Sequence, residues 1–246
     1  MIEWETASGL IPLKSAIETM EKRVVEIHQC KKNQLIWLLE HPHVYSGGTS
    51  ANKAHLLARP TIPVEQTGRG GSYTYHGPGQ RIIYVMMDLT KQEKDIRKFV
   101  WNLEQWVIDT LVEFNIFAER RKNRVGIWVI NKKNEQYNST PNLDLKIGSI
   151  GLRLKNWISY FGISINVCND LSYFDKDMNF IEKKQLTKVG KFRTNLLSLH
   201  HLKKYYFITS SKDGRNELLV YVSGDKKKYN INVTSTDNGK NYEVLS

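Results

Sequence analysis

Residues 68–80 read Gly68-Arg69-Gly70-Gly71-Ser72-Tyr73-Thr74-Tyr75-His76-Gly77-Pro78-Gly79-Gln80. Five glycines, three flat rings and one arginine share these thirteen residues, between two apolar runs. Ordinary surface loops do not require that composition. Gly68, Gly70 and Gly71 free the backbone for positive φ and let another group approach the main chain closely, while Tyr73, Tyr75 and His76 supply flat surfaces with polar tips. The stretch reads as a ligand-binding loop; the bland alternative is a tight hairpin whose glycines only serve turns.

Outward from this loop the chain alternates between strand and helix patterns. Upstream, Leu13, Ala16, Ile17, Met20, Val24 and Ile27 recur at three- and four-residue spacings, which predicts an amphipathic helix over 13–30 with Cys30 at its frayed end. Leu35 to Leu39 is a short apolar run that predicts a buried strand, and Arg81 to Met87 predicts another after the glycine loop. Val100, Leu103, Val107, Leu111 and Phe114 keep helical spacing and predict a second long helix from Ile96 to Phe114, packed across the sheet. Gly126 to Val129 reads as a short strand and Asn131 to Asn142 as a polar turn. Two more strands are expected at Lys146–Lys155 and Trp157–Val167, with Lys155-Asn156 as the turn between them. Mixed strands with two long helices predict an α+β domain. Beyond Phe174 the character changes. Asn179 to Leu202 has partly helical spacing, and Glu217–Val222, Lys228–Thr234 and Asn241–Leu245 predict a three-stranded meander with turns at Ser223-Gly224-Asp225 and Asp237-Asn238-Gly239. The expected organisation is therefore a catalytic unit over 1–174 and a β-rich C-terminal segment over 175–246.

Composition narrows the function classes. The chain has 246 residues and 28.6 kDa, enough for one domain with an appendage. No apolar run approaches the length of a membrane span, and the acidic start Met1-Ile2-Glu3-Trp4-Glu5 does not resemble a secretion signal, so no membrane association is expected. Two cysteines, Cys30 and Cys168, give no disulfide framework, and a reducing cytoplasm is the expected home. The formal net charge of +11 favours acidic partners or simple solubility. Residues 175–246 carry fourteen Lys/Arg against eight Asp/Glu, over half of that excess. No helix-turn-helix, RNP-like or finger motif accompanies it, so nucleic acid is not an expected partner. His41-x-His43 and His200-His201 have no third or fourth ligand at a recognised spacing, and no metal site is expected from them.

Four motifs in order carry a family resemblance. Arg69 to Gln80 resembles the Arg-Gly-Gly-x-Tyr-Thr-Tyr-His-Gly-Pro-Gly-Gln signature of the lipoyl(octanoyl) transferases. Glu40-His41-Pro42-His43-Val44-Tyr45-Ser46-Gly47-Gly48 resembles their Glu-His-Pro-x-Val-Tyr-Thr-x-Gly segment. Lys146-Ile147-Gly148-Ser149-Ile150-Gly151 resembles Lys-Ile-Ala-x-Ile-Gly. Phe161-Gly162-Ile163-Ser164-Ile165-Asn166-Val167, with Asp170-Leu171-Ser172, resembles His-Gly-x-x-x-Asn-Val and Asp-Leu-Ser. The resemblance spans residues 1 to about 174 and implies the fold shared by biotin and lipoate protein ligases. The implied activity is transfer of an octanoyl or lipoyl group, without a cofactor, from octanoyl acyl carrier protein to a lysine. The implied acceptors are lipoyl domains of 2-oxoacid dehydrogenases and the glycine cleavage H protein.

The resemblance also assigns a site. Substrate is expected against Arg69, Gly70, Gly71, Ser72, Tyr73, Thr74, Tyr75 and His76, with Ser149, Ile150 and Gly151 facing it and Gly162, Ile163 and Ser164 completing the wall. Backbone N–H groups beside the glycines are expected to hold an oxyanion. His76 is open to a general acid–base role or a structural one. Lys146 matches the family lysine that favours a nearby thiolate. In the family that thiolate belongs to a Pro-Cys-Gly segment ten residues after the Asp of Asp-Leu-Ser. Here that count reaches Phe180, no Pro-Cys-Gly occurs, and the family histidine before Gly162 is Phe161. Cys168 is the candidate substitute nucleophile, four residues past Ser164 and so ~13 Å along an extended strand. Three functions stay open: an octanoyltransferase, an acyl-binding pseudoenzyme lacking the family cysteine, and an ATP-dependent ligase of the same fold. Against the last stands the lack of a Gly-Arg-Gly-Arg run or an adenylate-binding lysine segment.

Overall fold

The computed structural model describes residues 1–53, 56, 61–92, 94–130 and 144–176, together with four strands further on at 205–210, 216–221, 229–235 and 242–244. Its elements run β1 (Ile2–Leu10), α1 (Leu13–His28), β2 (Gln34–Glu40), β3 (Val44–Gly47), β4 (Val64–Gln66), β5 (Tyr73–His76), β6 (Gln80–Met86), a 3-10 turn at Leu89–Lys91 and α2 (Ile96–Val112). Then come β7 (Ala118–Arg121), β8 (Arg124–Ile130), β9 (Asp144–Lys155), β10 (Ile158–Asn166), the single turn α3 (Tyr173–Lys176), β11 (Tyr205–Ser210), β12 (Asn216–Tyr221), β13 (Tyr229–Ser235) and β14 (Tyr242–Val244).

Seven strands form the main sheet in the order β1-β2-β6-β10-β9-β8-β7. β1 and β2 are parallel and every other neighbouring pair is antiparallel, so the sheet is mixed. Alternation along the strands sends side chains to both faces, and each face is closed by one helix. Ala16, Met20, Val24 and Ile27 of α1 pack with Leu35, Trp37, Leu39, Ile82, Tyr84 and Met86. On the opposite face Phe99, Leu103, Trp106, Val107 and Leu111 of α2 pack with Ile36, Leu38, Ile83, Val85, Ile163 and Ile165. Each such side chain taken fully from water contributes about 1.5–3 kcal/mol, and this sets the helices onto the sheet. α2 starts cleanly because the Asp95 side chain accepts from the Lys98 backbone N–H at 3.0 Å. α1 stops two residues before Cys30, whose φ of 55° ends the helix and whose side chain is exposed. Arg23 of α1 ties the edge strand β1 through Glu3 at 2.8 Å.

The helices and the central strands fall where the spacings place them, within two residues. Three details differ. The β9–β10 turn is Asn156-Trp157, both with positive φ (52° and 61°), the twist that a two-residue hairpin needs; Trp157 therefore belongs to the turn rather than to the strand. β1 precedes α1 and lies at the sheet edge, where its half-exposed acidic residues hid the strand pattern. The C-terminal sheet has four described strands in the order β11-β12-β13-β14 rather than three, because Tyr205–Ser210 adds an outer strand. The expected turns at 131–142, 223–225 and 237–239 and the partly helical stretch 179–202 lie outside the described residues, as does Phe180.

Candidate acyl site

A second, smaller sheet lies over the first. β3 pairs with β4 on one side and β5 on the other, and Tyr45, Tyr73 and Tyr75 pack with Phe174 as its own small core. Between this small sheet with its 67–72 loop and the strands β6, β10 and β9 is a cavity of about 380 Å³.

The floor of the cavity follows from strand register. Residues directly opposite each other in antiparallel strands share a face. Ile82, Ser164 and Ser149 form one cross-strand row, and Tyr84, Gly162 and Gly151 form the next. Four of these six residues are glycine or serine, so the sheet surface is hollow at its centre and bounded by Ile82 and Tyr84. The glycines are compelled by close approach. A Cβ on Gly162 would lie 2.1 Å from the Ile83 carbonyl oxygen, and one on Gly151 would meet Arg69 Cδ at 3.1 Å and the Gly70 carbonyl at 3.2 Å.

The roof is Arg69, Gly70, Gly71, Ser72, Tyr73, Thr74 and His76, with Ser46 and Thr67 beside them. Arg69 fastens it. Its Nη2 donates to the Ser46 carbonyl (2.6 Å), Ser46 Oγ (2.8 Å) and the Ser72 carbonyl (2.8 Å), while Nη1 donates to the Gly70 carbonyl (2.9 Å). Burial draws the guanidinium down to about 10, which leaves it a cation at neutral pH. The Gly70 N–H donates to the Leu152 carbonyl at 2.9 Å, joining roof to floor.

From Ser46 a chain of buried hydrogen bonds runs inward. Gln80 Nε2 donates to the Tyr75 carbonyl and to Asn166 Oδ1, so Gln80 Oε1 is the acceptor that faces His76 Nδ1 at 2.7 Å. His76 therefore carries its proton on Nδ1, and Nε2 accepts from Ser46 Oγ at 3.0 Å. Ser46, His76 and Gln80 have the connectivity of a nucleophile, base and orienting group, yet their environment argues for structure. Burial first, then the charge of His41, pushes His76 down to about 3, too weak a base to activate a hydroxyl near pH 7. Ser46 Oγ also accepts from Arg69 Nε (3.2 Å) and Nη2. Of the two roles open to His76, the geometry favours the structural one.

Lys146 stands at the other end of the floor. Its Nζ lies 5.1 Å from the centre of the Trp128 ring, and its chain runs over Gly126, where a Cβ would come within 2.8 Å of Lys146 Cε. Val125 beside it lines the cavity and is 57% exposed, which marks this end as the mouth.

Thirteen of the fourteen residues expected to touch substrate line this one cavity, together with Lys146. Tyr75 is the exception. The small core holds it instead, its ring stacked on Tyr173 at 4.9 Å and edge-on to Phe174, and its hydroxyl 2.8 Å from His43 Nδ1. Cys168 is not brought to the cavity: its backbone N–H donates to the Gly79 carbonyl at 2.9 Å, and its Sγ lies against Gly79. Sequence reasoning missed Leu13, Ser46, Thr67, Ile82, Tyr84, Val125 and Phe161 as lining residues. Alternation along β6 carries a signal for Ile82 and Tyr84; Val125, an exposed residue at the start of β8, carries none. His41 and His43 diverge into separate partners: His41 Nδ1 donates to the Ile11 carbonyl (2.5 Å) and Nε2 accepts from Tyr84 (2.6 Å), and burial holds the ring down to about 4.

A profile described as the lipoyl protein ligase A/B catalytic domain matches residues 14–218. Octanoyltransferases of Brucella suis biovar 1 and Bartonella bacilliformis are 49% and 47% identical over 173 residues, 70% of this chain. The octanoyltransferase of Dinoroseobacter shibae is 47% identical over the same length. The chain spans 65%, 72% and 79% of those three relatives. Among solved structures, a lipoate-protein ligase A bound with ATP superposes with a TM-score of 0.56 at 14% identity, covering 77% of each chain. A bipartite lipoate protein ligase from Thermoplasma acidophilum, solved with its E2 lipoyl domain, gives 0.55 at 13% identity, covering 81% of this chain and 72% of that one. At that identity the likeness shows the fold.

Proposed function

The chain belongs to the lipoyl protein ligase A/B catalytic domain family, and from that membership we propose that it transfers an octanoyl group from an acyl carrier protein thioester to a lysine of a lipoyl domain. The observation that carries the reading is the hollow between roof and floor, apolar along Leu13, Ile82, Tyr84 and Phe161, with one ammonium, Lys146, among the described residues that line it and an exposed mouth beside that ammonium. An acyl chain fits such a space with its thioester at Lys146. The acceptors are lipoyl domains of 2-oxoacid dehydrogenases and of the glycine cleavage H protein, and the setting is a reducing cytoplasm. Residues 1–174 form the catalytic unit, with 175–246 as a separate β-rich segment.

Among the described residues no cysteine lines the cavity, so the proposed transfer is direct. The acceptor amine attacks the thioester carbonyl carbon, the C–N bond forms, the C–S bond breaks, and the amine proton leaves with the carrier thiolate. Lys146 stabilises the oxygen that becomes negative in the tetrahedral stage. Forgoing a covalent intermediate leaves one harder step in place of two easier ones, so turnover is slow. The same absence favours a second reading, an acyl-binding protein without turnover.

Intact mass spectrometry separates these. Octanoyl carrier protein and an apo lipoyl domain are mixed with the chain and with Cys168→Ser. The expected result is an octanoyl adduct on the lipoyl domain with both proteins, and none on the chain itself. An adduct on the chain that disappears in Cys168→Ser overturns direct transfer; octanoate binding without any acceptor adduct overturns transferase activity.

A further inference from the structure

One residue of β10 breaks the alternation of its strand. Phe161 has a φ of 62°, a left-handed conformation that a bulky side chain adopts only when its surroundings impose it. Regular pleating would send its ring to the α2 face with Ile163 and Ile165. Instead the ring joins the α1 face, stacked on Tyr160 with centroids 5.3 Å apart and edge-on to Tyr84 at 6.0 Å.

That displacement places Phe161 where the hollow ends. The Ile82 row and the Tyr84 row line the cavity. The following cross-strand pair, Tyr160 opposite Arg153, does not, and the Arg153 guanidinium lies over the Tyr160 ring at 5.7 Å. The floor is thus hollow for two rows and filled at the third, with Phe161 lining the cavity against the filled row. Lys146 and Val125 lie beyond the Ser149 row, at the opposite end.

We propose that Phe161 is the end wall of the acyl channel and sets the longest straight chain the protein accepts. This rests on the acyl-site reading above and adds to it which residue measures the chain. A methyl terminus entering from the Lys146 mouth meets the Phe161 ring; removing the ring extends the channel toward Tyr160. Each further methylene buried is then worth about fourfold in affinity until the next wall is reached.

The test is displacement of a fluorescent fatty-acid probe by saturated fatty acids from hexanoate to tetradecanoate, on the full chain and on Phe161→Gly. Glycine suits the left-handed backbone, so the substitution removes the ring without demanding a new conformation. Phe161→Leu, smaller and still apolar, serves as a second variant if the glycine variant does not fold, judged by circular dichroism. The expected result is an affinity optimum moved by about two carbons in Phe161→Gly and by about one in Phe161→Leu, with octanoate weakened several-fold. An optimum at the same length in the folded variants and the parent overturns the wall assignment while leaving the acyl site intact. Failure of the parent to bind any fatty acid overturns the acyl site itself, and the wall with it.

Discussion

Ser46 Oγ donates to His76 Nε2 across 3.0 Å, and the direction of that bond is fixed because Gln80 Oε1 claims the proton on the other ring nitrogen. The imidazole is consequently a one-way connector between roof and floor. His76→Ala leaves a buried hydroxyl and a buried amide carbonyl without their partner, and the expected loss is about 2–4 kcal/mol. Urea denaturation of the variant measures it; a midpoint equal to that of the parent contradicts the connector role.

Two buried imidazoles make the fold acid-sensitive. His76 is lowered from 6.5 to about 3 and His41 from 6.5 to about 4. Below their ordinary value the unfolded chain takes up protons that the folded chain refuses, so stability is full above about pH 6.5 and falls as pH drops toward 4. Each histidine contributes a slope of up to about 1.4 kcal/mol per pH unit in that window. Glu3, lowered by Asn33 and then Arg23, joins only below its ordinary 4.5. Chemical denaturation at stepped pH checks this, and a flat profile from neutrality to about pH 4.5 contradicts it.

Arg69→Lys replaces a planar fork with a point charge. Several of the roof's bonds to the Ser46, Gly70 and Ser72 oxygens are then lost, at about 2–4 kcal/mol. Backbone amides of residues 70–74 are expected to exchange hydrogen faster by a larger factor than those of α2. Equal acceleration in both places would mean global loosening instead of a released roof.

Gly71 has a φ of +92°, and a Cβ there would meet its nearest heavy atom, Arg69 Nη1, at 3.4 Å, an ordinary contact. Gly71→Val therefore acts through backbone strain rather than steric block, costing roughly 1–3 kcal/mol and distorting the roof. Loss of octanoate binding with a lowered unfolding midpoint is expected; unchanged affinity in the folded variant would remove Gly71 from the wall.

Direct attack requires a neutral amine. With an ordinary lysine pKa near 10.4, the neutral fraction grows about tenfold per pH unit through the neutral range. The transfer rate should rise in the same proportion between pH about 7 and 8.5, and Lys146→Met should lower kcat by about 10²–10³ with thioester binding changed only slightly. A rate that levels off in this range points to a thiol intermediate.

Much of this architecture is legible in the chain. Spacing alone places α1, α2, β2 and β6 because each buries one regular face or lies between two helices, and the glycine loop declares itself by composition. What escapes the sequence is order in space: nothing local tells β10 to lie between β6 and β9, yet that placement aligns Gly162 with Gly151 and Ser164 with Ser149. Tyr75, claimed by the small core, and Phe161, turned by its left-handed backbone, escape the sequence for a related reason. Period two tells which residues alternate but not which face holds the ligand, and a single left-handed residue reverses the count.

The bonds that bind roof to floor also govern traffic. Arg69, Ser46, His76, Gln80 and Asn166 are linked across the width of the hollow, and lifting the roof would strip all of these buried groups of their partners at once. In the proposed transfer the passage is therefore filled lengthwise, methyl first and thioester last, through the opening at Val125 and Lys146. Under that proposal a carrier delivering its cargo this way never has to release it before the acceptor arrives, and the product leaves by drawing back along the same track.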